Sequence, residues 1–237
     1  MNDTLMVIGE ALIDFIPTEQ GMALKDVCSF TKHCGGAPIN IAAATAKLGA
    51  HSKVLTQVGA DAFGDFILET LSLCQVDITA VKRTKQYPTA LAFVALDEKG
   101  NRDFTFYRDP CADLHLSAED ITATMFQDCG ILHFCSVDLV DSPMKQAHLK
   151  AIQLAKEQGA IISFDPNVRL PLWSSKEDCK NTILEFAPYA DILKISDAEL
   201  FFLTGQKDCE QVFTVFPDAT IILLTCGEQG SYLMTKE

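Results

Sequence analysis

The sequence contains no C-x-x-C pair, although it has nine cysteines. Zinc sites are commonly built from such closely spaced cysteines, and disulfide frameworks use an even number of them in small secreted chains. We therefore expect reduced thiols that pack as small hydrophobic side chains and carry no chemistry. They lie singly, at Cys28, Cys34, Cys74, Cys111, Cys129, Cys135, Cys179, Cys209 and Cys226.

Long apolar runs are missing as well. The chain has an acidic residue, Asp3, and no basic run ahead of its first short apolar stretch, and it contains no run of the roughly 20 apolar residues that a bilayer-spanning helix needs. Neither a signal peptide nor a membrane span is predicted, which indicates a cytoplasmic protein. With 48% hydrophobic residues among 237, the chain can bury a large core, and we expect one α/β domain over residues 1–237.

Positive charge is scarce. The chain has 19 Lys and Arg against 32 Asp and Glu, a formal net charge of −13. Its densest basic run, Lys82–Lys85, is too short to form a nucleic-acid-binding surface, so a nucleic acid partner is not predicted. If such an acidic chain binds a polyanion, it must use a few local cations, helix N-termini and a metal ion.

Several common catalytic signatures do not occur. The sequence has no G-x-x-x-x-G-K-[ST] phosphate loop and no G-x-G-x-x-G after its first predicted strand. It also lacks G-x-S-x-G and H-E-x-x-H, and its five histidines are isolated. These absences disfavour a P-loop enzyme, a dinucleotide-dependent dehydrogenase and the common hydrolases.

What the sequence does contain is a regular alternation of short β-branched runs and segments of helical periodicity. This rhythm predicts a mostly parallel sheet covered by helices on both faces, with ligands bound beyond the carboxyl ends of the strands. The predicted strands are Leu5–Gly9, Lys53–Gly59, Ile131–Cys135, Ala160–Asp165, Asp191–Ile195 and Ala219–Thr225. The predicted helices are Ile39–Leu48, Phe63–Cys74, Ser142–Gln158, Lys176–Pro188 and Asp197–Thr204.

Two stretches interrupt the rhythm. Residues 13–30 have strand-like pieces without a helix, and Leu91–Asp97 and Arg102–Arg108 are alternating runs joined by the loop Glu98–Asn101. They predict either a small β-lid, with segments at about 13–34 and 88–112, or an antiparallel edge of the main sheet. A lid that excludes water would help an enzyme that transfers a phosphoryl group.

The most informative segment runs from Gly35 to Gly49 and places two glycines ahead of an alanine-rich helix. Paired glycines let the backbone approach a ligand closely, and Asn40 falls in the first turn of that helix. By itself, the pattern also fits a tight strand-to-helix turn packed on a sheet. Followed by Val58–Gly64, it resembles the first signature of the ribokinase-like (PfkB) carbohydrate kinases in residue types and spacing.

Two further segments resemble the sugar side of that family. Gly9–Asp14 is similar to its opening strand, whose aspartate binds sugar hydroxyls, and Phe106–Asp113 is similar to a sugar-facing lid segment of fructokinase-like members. For Arg108 and Asp113, an ordinary surface ion pair is the alternative. The sugar-binding residues that the resemblance implies are Asp14, Gly35, Gly36, Asn40, Arg108 and Asp113.

Three segments resemble the nucleotide side. Asp165–Arg169 is similar to a fructokinase-type Asp-Pro-Asn-x-Arg segment, Lys194–Glu199 to the family's Asn-x-x-Glu segment, and Thr225–Gly230 to its ATP-holding Thr-x-Gly-x-x-Gly loop. Each also fits an ordinary turn, N-cap or hairpin, and Ser196 stands where the family has asparagine. The resemblance implies that these segments contact ATP, its phosphates and Mg²⁺, and that Glu199 binds the metal. The implied residues are Asn167, Arg169, Lys194, Ser196, Glu199, Thr225, Gly227 and Gly230.

The family's second signature, Asp-Thr-x-Gly-Ala-Gly-Asp, does not occur in the sequence. In the family, its glycine-rich backbone binds the transferring phosphate and its last aspartate is the general base. Neither Asp165 nor Asp197 follows a Gly-Ala-Gly turn, so no catalytic residue is assigned. We expect a chain truncated at its C-terminus, with the catalytic aspartate beyond Glu237, and whether the 237-residue chain is active stays open.

The resemblance, which extends from Met6 to Gly230, implies an ATP-dependent carbohydrate kinase with a ribokinase-like fold. The expected reaction is phosphorylation of fructose to fructose 6-phosphate, with ATP and Mg²⁺ as cofactors and a homodimer formed through the lid. Two alternatives remain. One is a non-catalytic sugar-binding or regulatory protein, and the other is a kinase for 2-keto-3-deoxygluconate, ribose or a nucleoside.

Overall fold

The computed structural model describes residues 3–19, 21–96, 102–205 and 212–236. Its large sheet consists of β1 (Thr4–Ile8), β4 (Ser52–Gly59), β5 (Val81–Thr84), β8 (Cys129–Cys135), β9 (Ile161–Asp165), β10 (Ile192–Ser196), β11 (Ile221–Thr225) and β12 (Ser231–Thr235). These eight strands follow the order β12-β11-β10-β9-β8-β1-β4-β5. Every pairing is parallel except that of β11 with β12.

Each of the six predicted strands is present, with bounds that differ by at most two residues. The two edge strands, β5 and β12, have no counterpart among the predictions. In β5, Lys82 and Arg83 are exposed, and in β12 four of the five residues are exposed, so neither strand has the buried apolar pattern of the strands inside the sheet.

The helices between the strands are α1 (Ala37–Lys47), α2 (Ala62–Leu73), α3 (Pro143–Glu157), α4 (Lys176–Phe186), α5 (Asp197–Thr204) and the short α6 (Val212–Val215). Side-chain caps start several of them: Asp61 accepts hydrogen bonds from the N–H groups of Phe63 and Gly64 at the start of α2. The helix predicted to extend to Pro188 ends as an α-helix at Phe186 and continues as a 3₁₀ turn, because a proline supplies no N–H for the α-helical ladder.

Both faces of the large sheet carry buried apolar side chains. Successive residues of a strand point to opposite faces, and in β1 Met6 and Ile8 belong to one buried cluster while Val7 belongs to another. The first cluster includes Ala151 of α3, and the second includes Ile67 of α2. Helices therefore cover both faces of the sheet, as the alternating pattern predicts.

A second sheet of four strands is formed by β2 (Leu12–Pro17), β3 (Phe30–Gly35), β6 (Ala90–Leu96) and β7 (Arg102–Tyr107). Its order is β3-β2-β6-β7, and in the described part of the chain its strands pair only with one another. This small sheet is therefore not an edge of the large one, which was the second of the two predictions. The predicted loop Glu98–Asn101 lies outside the described residues.

Cysteine placement follows from the same packing. The eight cysteines within the described ranges are free; Cys111, Cys129, Cys135 and Cys179 are buried, and Cys28 is exposed. Over the same ranges, the helices are too short or too polar to cross a bilayer.

Candidate functional site

A cleft of about 170 Å³ lies between the small sheet and the carboxyl ends of β1, β8 and β9. Loops that follow these parallel strands converge at one edge of the sheet, which is where α/β proteins bind ligands. The small sheet supplies residues from β2 and β7, and the first turn of α1 closes one side. The cleft is lined by Glu10, Leu12, Asp14, Gly36, Ala37, Asn40, Phe106, Val137, Asn167, Arg169 and Leu172.

Two glycines allow the start of α1 to approach this cleft. Gly36 has φ of +113°, a conformation that side chains other than glycine's rarely adopt, and a Cβ atom there would collide with the carbonyl oxygen of Glu10. A Cβ atom at Gly35 would collide with the carboxylate of Asp14. The glycine pair therefore brings Asn40, one turn into α1, to the same cleft as Asp14.

Arg108 and Asp113, which the sequence predicts as sugar-binding residues, lie outside the lining of the cleft. The Arg108 Nη2 atom is 2.7 Å from Asp113 Oδ2 and also donates to Asp138 Oδ1. The side chain of Arg108 is 5% exposed, and those of both aspartates are fully buried. The expected alternative, a surface ion pair, is thus wrong about burial: the pair exists, but inside the protein.

Glu10 connects this buried pair to the cleft. It follows β1, lines the cleft and is 2% exposed, and its Oε1 atom accepts a hydrogen bond of 2.7 Å from the N–H of Ala37. Burial, reinforced by the nearby carboxylate of Asp138, raises the pKa of Glu10 to about 8. Burial likewise raises the pKa of Asp138 to about 7, although Arg108 opposes that rise. We call Glu10, Arg108, Asp113 and Asp138 the buried acid network.

The sequence motifs do not predict Glu10 or Asp138 as site residues. Glu10 lies inside a segment that resembles the family's opening strand, but the resemblance assigns a role only to Asp14. Asp138 follows β8 and belongs to no recognised motif. The one signal that sequence offers for both is position, since each lies in the loop that follows a buried strand, where parallel sheets carry their sites.

Asp165 and Lys194 form the second side of the site, which we call the phosphate side together with Asn167, Ser196 and Glu199. The Lys194 Nζ atom is 3.1 Å from Asp165 Oδ2 across neighbouring strands. Asn167 adopts a positive φ of 43° and donates its N–H to Asp165 Oδ1 at 3.0 Å. Burial raises the pKa of Asp165, with Lys194 opposing the rise and Glu199 adding to it.

Glu199 holds two segments of the phosphate side together. Its Oε1 atom accepts from the N–H of Val168 at 2.8 Å, and its Oε2 atom accepts from the N–H and the hydroxyl of Ser196 at 2.9 and 2.7 Å. The Ser196 hydroxyl in turn accepts from the Glu199 N–H at 3.2 Å, which completes a capping box at the start of α5. Serine therefore performs the capping at the position where the family has asparagine.

The glycine loop after β11 lies at the same edge of the sheet, because Thr225 is paired in register with Ser196. Gly227 and Gly230 have positive φ angles of 54° and 93°, and the loop is closed by a 2.8 Å hydrogen bond from the N–H of Cys226 to the carbonyl of Gly230. Beside it is a second cavity of about 520 Å³, lined by Asp197, Ala198, Leu200, Phe201, Leu224, Cys226, Gln229 and Tyr232.

A metal site is not preformed in the part of the chain that the structure describes, where no three His, Cys, Asp or Glu side chains are grouped closely enough to hold an ion. Magnesium typically keeps several waters and binds one or two carboxylates together with substrate phosphates. The carboxylate of Glu199 is close enough to Asp165 to add to the raised pKa of Asp165, and these two carboxylates fit that kind of site.

The family model described as pfkB family carbohydrate kinase matches residues 2–237. A probable fructokinase-2 from Arabidopsis thaliana is 40% identical over 232 residues, which are 97% of this chain and 70% of that relative. The crystal structure of a fructokinase from Xylella fastidiosa has a TM-score of 0.90 and 33% identity, over 100% of this chain and 74% of that one. Its structure with bound ATP has a TM-score of 0.89 at the same identity, over 72% of that chain.

These similarities confirm the predicted family and the predicted fold, a mostly parallel sheet with helices on both faces. The roles of individual site residues and the expected truncation of the chain stay predictions.

Proposed function

This chain belongs to the pfkB family of carbohydrate kinases, and on that premise we propose that it transfers the γ-phosphate of ATP to O6 of fructose. The choice of fructose is supported by the curated relatives and solved structures named fructokinases, which match nearly all of this chain. The observation that carries the proposal is the cleft, since Asp14 and Asn40 meet there at the carboxyl edge of the sheet.

We propose that the residues that bind the sugar in the cleft are Asp14, Gly35, Gly36 and Asn40. An ionised aspartate accepts hydrogen bonds from sugar hydroxyls, and an asparagine amide can both donate and accept. Arg108 and Asp113 do not line the cleft, and we assign them to the pairing that holds Asp138 near Glu10. Because phosphoryl transfer depends on positioning and charge stabilisation more than on covalent chemistry, a rigid cleft that fixes the acceptor hydroxyl serves this reaction.

We propose that the residues of the phosphate side and Arg169 bind the phosphates of ATP. Thr225, Gly227 and Gly230 contact the rest of the nucleotide. Lys194 and Arg169 are the local cations that an acidic chain needs to bind a polyanion. When bound, Mg²⁺ neutralises charge that develops on the phosphates, and Glu199 is the carboxylate that we place nearest to it.

The small sheet is proposed to act as the lid of a single domain over residues 1–237. Its residues Asp14 and Phe106 line the cleft, so this sheet can exclude water that would compete with the sugar for the phosphoryl group. It also exposes Tyr107 and Ile16, at 63% and 38%, which supports a homodimer formed through this sheet. A cytoplasmic location is part of the same proposal.

The test measures fructose binding by calorimetry and ADP release with fructose, 2-keto-3-deoxygluconate, ribose and adenosine. Both the 237-residue chain and a version extended by the downstream reading frame are assayed. Fructose is expected to bind both and to be the best acceptor of the active form. Asp14→Asn should weaken fructose binding by about tenfold to a hundredfold, since a hydrogen bond to a charged group contributes about 1.5–3 kcal/mol.

The control is Asp26→Asn, an exposed aspartate outside the cleft, which should leave the affinity unchanged. The proposal is wrong if a different acceptor is turned over in preference to fructose. Fructose binding without ADP release in the extended version would favour the non-catalytic sugar-binding protein.

A further inference from the structure

One oxygen of Glu10 has no partner within the described structure. The Oε1 atom of Glu10 accepts the 2.7 Å hydrogen bond from Ala37, but its Oε2 atom is buried and makes no hydrogen bond. Leaving a polar atom buried and unpaired costs about 1–3 kcal/mol, so such atoms in a ligand cleft are candidates for ligand contacts. Glu10 also lines the cleft, so its unpaired oxygen belongs to a side chain of the cleft wall, whereas Arg108 Nε and Asp138 Oδ2, which are buried and unpaired as well, belong to residues outside the lining.

The charges around Glu10 do not balance. Glu10, Asp113 and Asp138 are three buried carboxyl groups beside the single guanidinium of Arg108, whose Nη2 atom is used by the two aspartates. Two excess negative charges in a buried site are costly, and the usual relief is that one carboxyl group takes up a proton. Glu10 is the member of the network without an ion pair, so it accommodates a proton more readily than Asp138, which pairs with Arg108.

Other titratable groups face this carboxyl group from the surrounding elements. The thiol of Cys135, at the end of β8, is close enough to be influenced by Glu10, and burial raises its pKa well above the usual value, so it stays neutral. Asp14 from the small sheet and Arg169 from the loop after β9 share the cleft. The pKa of about 8 for Glu10 agrees with a proton held on this group.

We propose that Glu10 acts in the cleft as a neutral carboxylic acid whose Oε2–H donates a hydrogen bond to an oxygen of the bound sugar. This deepens the proposed function and rests on it. An ionised carboxylate can only accept, so a neutral acid in the same cleft as Asp14 supplies the donor that a ring, carbonyl or hydroxyl oxygen requires. Glu10 is thereby a specificity-determining residue that favours sugars with an acceptor oxygen at that position.

The test is the dissociation constant for fructose, measured by calorimetry from pH 6.5 to 9.5 with the 237-residue chain. Binding at pH 6.5 tests the proposed function by itself. The change with pH tests the role of Glu10, because loss of its proton turns the donor into a charged acceptor. Affinity is expected to fall by about tenfold or more as the pH rises through about 8.

Glu10→Gln keeps an acceptor for Ala37 and places an amide donor at the position of Oε2. It should weaken binding only about threefold at pH 6.5 and abolish the dependence on pH. Asp138→Asn removes the carboxylate that reinforces the raised pKa of Glu10, so the loss of affinity should occur at lower pH. Glu69→Gln, on the exposed surface of α2, should reproduce the behaviour of the unmodified chain.

An affinity that is constant from pH 6.5 to 9.5 in the unmodified chain overturns the role of Glu10, although fructose binding itself would stand. A pH dependence that persists in Glu10→Gln, or that disappears in Asp138→Asn, assigns the titration to another group and also overturns it. Thermal unfolding of each variant at pH 6.5 separates these outcomes from a loss of folded protein.

Discussion

The two sides of the candidate site are built in different ways. The buried acid network joins residues that are distant in sequence: Arg108 bonds to Asp138 30 positions later, and Glu10 bonds to Ala37 27 positions later. The phosphate side includes a local capping box, in which Ser196 and Glu199 are three positions apart. Burial differs as well, since the Arg108 side chain is 5% exposed and that of Lys194 is 36% exposed.

This difference indicates which substitutions should lower the free energy of unfolding most. Charges inside the buried acid network have lost their contact with water, and each depends on its neighbours for compensation. On the phosphate side, Lys194 keeps contact with solvent, which screens its interactions, although its partner Asp165 is largely buried. We therefore expect substitutions in the buried acid network to change stability and pH dependence, and those on the phosphate side to act mainly on the nucleotide.

Arg108→Met should have the largest effect. The change leaves the carboxyl groups of Asp113 and Asp138 buried without their cation, and removing one partner of a buried ion pair costs about 3–5 kcal/mol. The free energy of unfolding, measured by urea titration at pH 7, should fall by that amount.

Arg83→Met is the matched control, because Arg83 pairs with Asp65 at the surface, where the two side chains are 43% and 53% exposed. Exposed pairs contribute about 0–1 kcal/mol, so this variant should lose no more than that. Equal losses in the two arginine variants would contradict the contrast between a costly buried network and a solvated surface.

Glu10→Gln should change how stability depends on pH. With its pKa raised to about 8 in the folded state, against a usual value of 4.5, Glu10 holds a proton that the unfolded chain releases. The free energy of unfolding of the unmodified chain should therefore fall as the pH rises from about 4.5 towards 8, by about 1.4 kcal/mol per pH unit from this group.

Glutamine cannot ionise, so the stability of Glu10→Gln relative to the unmodified chain should increase by about 2 kcal/mol between pH 5 and pH 7. Urea titrations at both pH values measure this difference, with Glu69→Gln as the control for an exposed carboxyl group. If the relative stability of Glu10→Gln is the same at both values, Glu10 is ionised in the folded protein.

Ser196→Ala should have the smallest effect on stability. It removes the side-chain cap of α5, and loss of such a cap costs about 1 kcal/mol. Ser175→Ala is the matched control, because Ser175 caps α4 through the N–H of Asp178 in the same manner.

The two serine variants should differ in nucleotide binding, since only Ser196 belongs to the phosphate side. We expect the KM for ATP to increase several-fold in Ser196→Ala and to stay unchanged in Ser175→Ala, measured with the active form of the kinase. Equal KM values in the two variants would restrict Ser196 to a capping role.

Much of the phosphate side and of the sheet could be predicted from local patterns. The helix α5 begins and ends where its capping serine and its apolar spacing predict, at Asp197 and Thr204. The paired glycines predict a close backbone approach at Gly36, and the φ of +113° at this residue fits that expectation. Patterns of this kind are readable because the interacting residues lie within a few positions of each other.

The sequence by itself determined the family, six of the eight strands of the large sheet with the five longer helices between them, and the segments that meet at the carboxyl edge of that sheet. Only the tertiary structure decided that the small sheet is separate, that Arg108 and Asp113 are buried, and that Glu10 lies beside Asp138. The physical reason is that burial and the mutual influence of carboxyl groups depend on distances through space, which local periodicity and motif spacing do not encode.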